Sequence, residues 1–253
     1  MSVGITPLLD YENLDRIAEQ SSHAYRNATP FPHIALDEFL KPAIVQKILD
    51  RFPALKEKPG QTSDVAKTES GKLPQPNKRW LSNQAGVDHL IRQLYWELNS
   101  APFLSFLEKL TGITHLIPDP HMAGGGTHET LRDGFLMVHA DFNKHPNFQL
   151  DRRLNVLVYL NPGWQEEWGG DLELWARDMS RLEKSISPIG GRCVIFTTTR
   201  DSFHGHPHPL NCPQENTRKS IALYYYTNGR PEGEDASPHK TIWKDISELP
   251  DHQ

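Results

Sequence analysis

The chain has 253 residues, 37% of them hydrophobic, and a formal net charge of -5 at pH 7. This length allows a sizeable core, and a single domain spanning 1–253 is expected because all-β folds often reach this size as one unit. No stretch approaches the roughly 20 apolar residues of a membrane span, and the first residues lack the pattern of a signal peptide. The negative charge argues against a broad nucleic-acid-binding surface, so nucleic acid is not an expected partner. A membrane is not expected either, because a long apolar stretch is missing.

The first part of the chain, about 1–112, is predicted to be a helical support region. Apolar residues follow helical spacing in 9–22, 41–53, 87–99 and 101–113, with Pro42 near one helix start and Gly112 at a helix end. Residues 31–40 predict a short strand. Residues 57–79 are polar and rich in Lys, Gly, Pro and Ser, which predicts a loop and a candidate lid.

From about residue 114 the pattern changes to short strands. Strand-like runs occupy 114–118, 134–142, 152–160, 170–176, 191–199 and 218–227, with Gly, Pro and Asn between them. The prediction is a mostly β fold with supporting helices, a sandwich or barrel whose core spans about 113–230. The polar tail, 231–253, is expected to be a surface segment.

The two cysteines, Cys193 and Cys212, imply no disulfide framework. Cys193 lies in an apolar run and is expected to be a small core residue. A reducing, cytoplasmic location fits this usage.

His139 and Asp141 form a His-x-Asp pair in the predicted strand 134–142. Side chains two positions apart on a strand project from the same face. An imidazole and a carboxylate, completed by a distant histidine, would leave open positions that suit iron(II) oxygen chemistry. The pair alone carries little weight, because chance placement of this many histidines and aspartates gives about one such pair.

The third ligand is sought in a later histidine-rich segment. His204, His206 and His208 share strand parity, so alternation does not choose among them. His206 and His208 each precede a proline, which restricts their backbone. His204 is favoured and His206 is the alternative; the remaining histidines of the segment would lie in a solvent-exposed turn.

A basic residue stands in the last apolar strand. Arg218 and Ser220 share one face of this strand, whereas Lys219 points to the other. A buried guanidinium is costly without an anion, and its planar fork suits a carboxylate. A strand-edge Arg in a surface ion pair is the alternative interpretation.

Four ordered blocks carry a family resemblance: GFLMVHADFN, RRLNVLVYLNPGWQEEWGGDLELW, GRCVIFTTTRDSFHGHP and TRKSIALYYYT. Residues 120–228 resemble the 2-oxoglutarate/iron(II)-dependent dioxygenase superfamily, and within it the prolyl 4-hydroxylase-like branch. The resemblance implies a double-stranded β-helix, or jelly roll. It also implies an enzyme, a hydroxylase that acts on a small molecule, an amino acid or a peptidyl substrate such as a prolyl residue, with release of succinate and CO2.

The resemblance further implies the cofactors and their ligands. Iron(II) would bind His139, Asp141 and His204, and 2-oxoglutarate and O2 would be co-substrates, with ascorbate as a reductant. The distal carboxylate of 2-oxoglutarate would pair with Arg218, helped by Ser220 and by the hydroxyl of Tyr159. The alternative interpretation of Tyr159 is an aromatic residue of the core. The segment between His204 and Arg218 is longer than in several relatives, which keeps His206 open.

Two other function classes remain. One is a non-catalytic jelly-roll module that binds a ligand or partner and keeps a vestigial metal site. The other is a different jelly-roll metalloenzyme, such as an isomerase, which would leave Arg218 unexplained.

Overall fold

The computed structural model describes residues 6–54, 68 and 71–248. The helices are α1 (Tyr11–Arg26), α2 (Pro42–Leu49), α3 (His89–Leu98) and α4 (Ala101–Thr111), with one-turn 3-10 helices at Gln84–Gly86, Glu166–Trp168 and Ile246–Glu248. All four predicted helices are confirmed. The Asp10 carboxylate accepts the Asn13 N–H at the start of α1, and α4 ends at Gly112 with φ +77, a conformation that favours glycine. Among the described residues, no helix is both long and apolar enough to cross a bilayer.

The strands form two antiparallel sheets. They are β1 (His33–Leu36), β2 (Lys78–Leu81), β3 (Ile117–Pro118), β4 (Gly126–Thr130), β5 (Leu136–Ala140), β6 (Asp151–Tyr159), β7 (Leu172–Trp175), β8 (Leu182–Ile186), β9 (Cys193–Thr197), β10 (His204–His206), β11 (Arg218–Thr227) and β12 (Ile242–Lys244). The large sheet has the order β1-β9-β6-β11-β4-β2, with β3 beside β11. The small sheet has the order β12-β5-β10-β7-β8. From β4 to β11 every connection crosses from one sheet to the other except that between β7 and β8, and this is the jelly roll that was expected.

The large sheet separates the helices from the interior of the jelly roll. On β11, Ile221, Leu223 and Tyr225 pack with the helices in the main apolar core. Each fully buried side chain of this size contributes about 1.5–3 kcal/mol. Because side chains alternate, Arg218 and Ser220 face the other way, toward the small sheet. The polar residues of β11 therefore lie inside the jelly roll.

Four strands were absent from the sequence prediction: β2, β4, β8 and β12. Strand β10 lies in the histidine-rich segment, whose residues were expected to share a strand. Of the predicted 57–79 loop, residues 78 and 79 belong to β2, and residues 57–67, 69 and 70 lie outside the described part. The glycine-rich segment predicted as a loop contains β4. The helical region also supplies two strands, β1 and β2, to the large sheet. Polar residues on the strands that were not predicted interrupt the apolar alternation from which strands are recognised in a sequence.

The tail was predicted to be a surface segment; its residues 231–247 are exposed or half-buried, and it also adds a strand to the small sheet. Strand β12 pairs with β5, placing Trp243 directly opposite His139. The ring centroids of these two residues are 4.8 Å apart. Nearby, the Lys72 ammonium and the Asp245 carboxylate are 2.5 Å apart, joining the tail to the segment before β2.

Gly205 gives a test of the pairing between β10 and β5. A Cβ at this position would lie 2.8 Å from the Leu136 carbonyl oxygen and 2.9 Å from that of Met137. Because backbone must move, Gly205→Ala should lower the free energy of unfolding by about 1–3 kcal/mol, the usual cost of overpacking. Urea unfolding measures the change. Gly86→Ala is the control, since its Cβ meets only the side chain of Leu81, at 3.3 Å; equal losses in both variants would contradict the interpretation.

Candidate metal centre

The fold brings His139, Asp141 and His204 together inside the jelly roll. His139 is on β5, Asp141 follows the end of that strand, and His204 opens β10 directly opposite His139. All three are buried, and one possible ligand atom from each lies within 4.8 Å of the others. Asp141 Oδ1 is 3.6 Å from His139 Nε2, and Asp141 Oδ2 is 3.5 Å from His204 Nε2. These atoms are close enough to share one ion.

The hydrogen bonds of the two histidines fix which nitrogen faces the centre. His139 Nδ1 lies 2.9 Å from the Met137 carbonyl oxygen, and His204 Nδ1 lies 2.9 Å from that of Ser202. A carbonyl only accepts, so each Nδ1 carries the hydrogen and each Nε2 keeps a free lone pair. Burial and the neighbouring His139 lower the pKa of His204 to about 4, so its ring is neutral at pH 7. Two imidazoles held with Nε2 toward the centre in this way fit a divalent metal.

Asp141 is held in its ionised form by a buried cation. Burial opposes ionisation, but Arg152 and the two histidines outweigh it and lower the pKa of Asp141 well below its usual value. An Arg152 terminal nitrogen lies 3.1 Å from Asp141 Oδ2, and Asn155 Nδ2 donates to the same oxygen at 2.8 Å. The Arg152 guanidinium also lies over the ring of Tyr224, 3.4 Å from its centroid. The carboxylate is therefore oriented by charge, hydrogen bond and packing together.

Arg152 was missed from the sequence. The signal was present, because Arg152 interrupts an apolar strand as Arg218 does, and the same desolvation argument applies to both. Its partner could not be identified, since Asp141 follows a strand of the other sheet and only the packing of the two sheets brings the two side chains together.

A second polar pocket surrounds Arg218. The side chain is buried, its Nε donates to the Gly170 carbonyl at 2.6 Å, and one terminal nitrogen donates to the Tyr159 hydroxyl at 3.3 Å. Ser220 pairs directly with Tyr159 across the two strands. The structure thus places the three residues predicted for co-substrate binding beside one another.

The other histidines of the segment differ from one another. His206 is buried, and neither ring nitrogen has a hydrogen-bond partner among the described residues. Burial, Arg218 and Lys78 lower the pKa of His206 well below its usual value. His208 is exposed, with Nε2 3.6 Å from a Glu173 carboxylate oxygen. The prediction of a solvent-exposed turn therefore holds for His208 but not for His206. His206 also lies outside the cluster of three possible metal ligands.

Two further residues face this pocket and were not predicted. His128 on β4 is buried, and its Nε2 has no partner in the described part of the chain. Lys78 on β2 is half-buried. Burial and Arg218 lower the pKa of Lys78 to about 8. No sequence signal distinguished Lys78, because it falls in the segment predicted as a loop.

Arg152→Met tests how strongly this residue supports Asp141. Loss of one partner leaves a buried charge uncompensated, so we expect the metal-free protein to lose about 3–5 kcal/mol of unfolding free energy in urea. Adding Asp141→Asn should restore part of the loss. The control is Arg181→Met, whose exposed guanidinium pairs with Glu183 at 2.5 Å and should contribute less than about 1 kcal/mol. Similar losses in the two single variants would show that Arg152 has no special role.

Comparison with known proteins shows which family the second half of the chain resembles. Residues 126–226 match the model of the 2OG-Fe(II) oxygenase superfamily. A stretch of 79 residues is 32% identical to prolyl 3-hydroxylase OGFOD1 of Mus musculus, and the match covers 30% of this chain and 14% of that protein. The chain therefore spans about a seventh of the length of this curated relative.

Solved structures share the fold. A Trichoplax adhaerens prolyl hydroxylase, in complex with a hypoxia inducible factor oxygen degradation domain peptide fragment, has a TM-score of 0.56 at 17% identity, covering 85% of this chain and 91% of that one. HygX from Streptomyces hygroscopicus, with nickel and 2-oxoglutarate bound, has a TM-score of 0.55 at 13% identity, covering 90% and 97%. The matched segment contains His139, Asp141, His204 and Arg218. Residues 126–226 of the chain are therefore similar to the 2OG-Fe(II) oxygenase superfamily, and the chain shares its fold with a prolyl hydroxylase.

Proposed function

We propose that the protein is an iron(II)- and 2-oxoglutarate-dependent oxygenase that hydroxylates a peptidyl or small-molecule substrate. The observation that carries this proposal is the pairing of two features inside one jelly roll. A buried His139–Asp141–His204 cluster offers three metal ligands, and a buried Arg218 in the same interior offers a partner for a carboxylate. The family match covers both features.

The residues divide into a metal-binding set and a co-substrate-binding set. His139, Asp141 and His204 would hold iron(II), leaving three positions open. Arg218 would bind the distal carboxylate of 2-oxoglutarate, with Ser220 and Tyr159 lending hydroxyl groups. Bound together, iron and 2-oxoglutarate supply O2 activation, in which 2-oxoglutarate becomes succinate and CO2 and one oxygen atom enters the substrate.

The chain itself contributes orientation and shielding. Arg152 and Asn155 hold the Asp141 carboxylate, and carbonyl oxygens hold both imidazole rings in the tautomer that binds metal. Trp243 covers His139 from the tail. Preorganised ligands of this kind fix the ion and keep its surroundings dry.

The substrate is proposed from the relatives alone. A similar curated protein is named a prolyl 3-hydroxylase, and a similar structure contains a peptide, so a peptidyl substrate such as a prolyl residue is one candidate class. A small molecule is the other. Tyr224 stands where nucleic-acid demethylases of the superfamily carry a second Arg, which disfavours nucleic acid. We also propose a cytoplasmic location, with which two free, buried cysteines are compatible. Ascorbate is proposed as a supporting reductant.

Anaerobic absorbance tests the metal site directly. Iron(II) with 2-oxoglutarate should give a weak visible charge-transfer band in the wild-type protein. His139→Ala, Asp141→Ala and His204→Ala should each abolish this band and succinate release, because three ligands leave none to spare. The alternative of a binding module with a vestigial site predicts no band in the wild type.

Neighbouring histidines supply the controls. His208→Ala should keep the band and turnover, since this side chain is exposed. His206→Ala should keep iron binding. A band lost in His206→Ala but retained in His204→Ala would show that the third ligand was assigned wrongly.

Arg218 is tested through the 2-oxoglutarate requirement. A charged hydrogen bond contributes roughly 1.5–3 kcal/mol, so Arg218→Ala should raise the concentration needed for half-maximal succinate release at least about tenfold. Arg218→Lys should recover only part, because an ammonium lacks the planar fork. Lys219→Ala is the matched control, since Lys219 points to the opposite face and contacts Glu129. An unchanged requirement in Arg218→Ala would remove Arg218 from the co-substrate site.

A further inference from the structure

Lys78 lies in line with Arg218 across the large sheet. On β2 it pairs directly with Thr130 of β4, and Thr130 pairs directly with Arg218 of β11. Residues directly opposite one another share a face, so Lys78 and Arg218 both face the interior of the jelly roll. Two such pairings place their Cα atoms about 10 Å apart, a distance over which two long side chains can meet one ligand.

The Lys78 ammonium has no anionic partner in the part of the chain that the structure describes. Its pKa is lowered by burial and by the charge of Arg218, and Asp141 opposes this effect. The ammonium therefore sits in the fields of both Arg218 and the metal-ligand cluster. Two cations that share a partly desolvated space repel one another unless an anion lies between them.

The rest of the pocket is also rich in nitrogen atoms without partners. His206 is 3% exposed, and both of its ring nitrogens lack a hydrogen-bond partner among the described residues, as does Nε2 of His128. His128 pairs directly with Ser220 of β11 and therefore shares the interior face of the large sheet with Lys78 and Arg218. Burial and the charges of Lys78 and Arg218 lower the pKa values of both histidines. Buried polar atoms are rarely left unpaired in a finished structure. The pocket is built for a ligand that accepts several hydrogen bonds.

Arg218 alone does not satisfy such a ligand. Its Nε is used by the Gly170 carbonyl and one terminal nitrogen contacts the Tyr159 hydroxyl. A carboxylate has about four lone-pair sites, so it has room for a second charged donor. We propose that Lys78 is the second cation that binds the distal carboxylate of 2-oxoglutarate, on the side of the pocket away from Tyr159.

This inference rests on the proposed function, and calorimetry separates the two. Nickel(II)-loaded protein, which need not turn over, is titrated with 2-oxoglutarate and with 2-oxovalerate, a 2-oxo acid of the same length without the distal carboxylate. Lys78→Met should weaken 2-oxoglutarate binding about tenfold, the effect of one charged hydrogen bond. Binding of 2-oxovalerate should be the same in wild type and variant, since the group that Lys78 contacts is missing from it.

The controls address folding and unspecific charge effects. Lys219→Met removes a lysine from the opposite face of the same sheet and should leave both affinities unchanged. Lys78→Gln repeats the test with a polar side chain if thermal unfolding shows the Met variant to be unfolded.

Two outcomes would overturn the role of Lys78 while leaving the oxygenase proposal intact. One is a change in 2-oxoglutarate affinity of less than twofold. The other is an equal loss for both ligands, which would place Lys78 at the metal-binding end instead. Wild-type protein that binds nickel but not 2-oxoglutarate would defeat the proposed function itself, and this inference with it.

Discussion

The pairing of β10 with β5 is the constraint on which the site depends. It sets His204 directly opposite His139, and the chain then supplies Asp141 one residue beyond the end of β5. A slip of one residue would turn every side chain of a strand to the other face, so the metal ligands and the fold share one register. The close contact at Gly205 agrees with a fixed register, because a side chain at this position would fit between β10 and β5 only if their backbones moved apart. Strand β5 pairs on its other edge with β12, which holds Trp243 against His139.

The interior carries an uneven distribution of charge. Asp141 already has a cationic partner in Arg152, whereas Arg218 and Lys78 have no carboxylate partner among the described residues. Charges interact more strongly in a poorly solvated space than in water, so unpaired cations there favour an anionic ligand. The helices take no part in this chemistry. They cover the outer face of the large sheet and thereby free its inner face for polar residues.

Local patterns were enough to predict one part of the site and not the other. Strand alternation correctly put Arg218 and Ser220 on one face and Lys219 on the other, and capping and apolar spacing predicted all four helices. These signals are local in the sequence. Strands β2, β4 and β12 were not predicted because polar residues that line a site erase the apolar alternation. The contacts of Arg152 and Lys78 depend on which strands become neighbours, and no short window of the sequence contains that information.

The strand that carries His139 would lie at the edge of the small sheet without the tail. Its residues Val138, His139 and Ala140, which pair with β12, would then leave backbone groups unpaired, which invites pairing with strands of other molecules. Strand β12 occupies this edge over only three residues and ends in Lys244. The opposite edge is β8, which is short and carries the charged residues Glu183 and Lys184. Short, charged edges resist further strand addition, so the segment that contacts His139 also protects the sheet against aggregation.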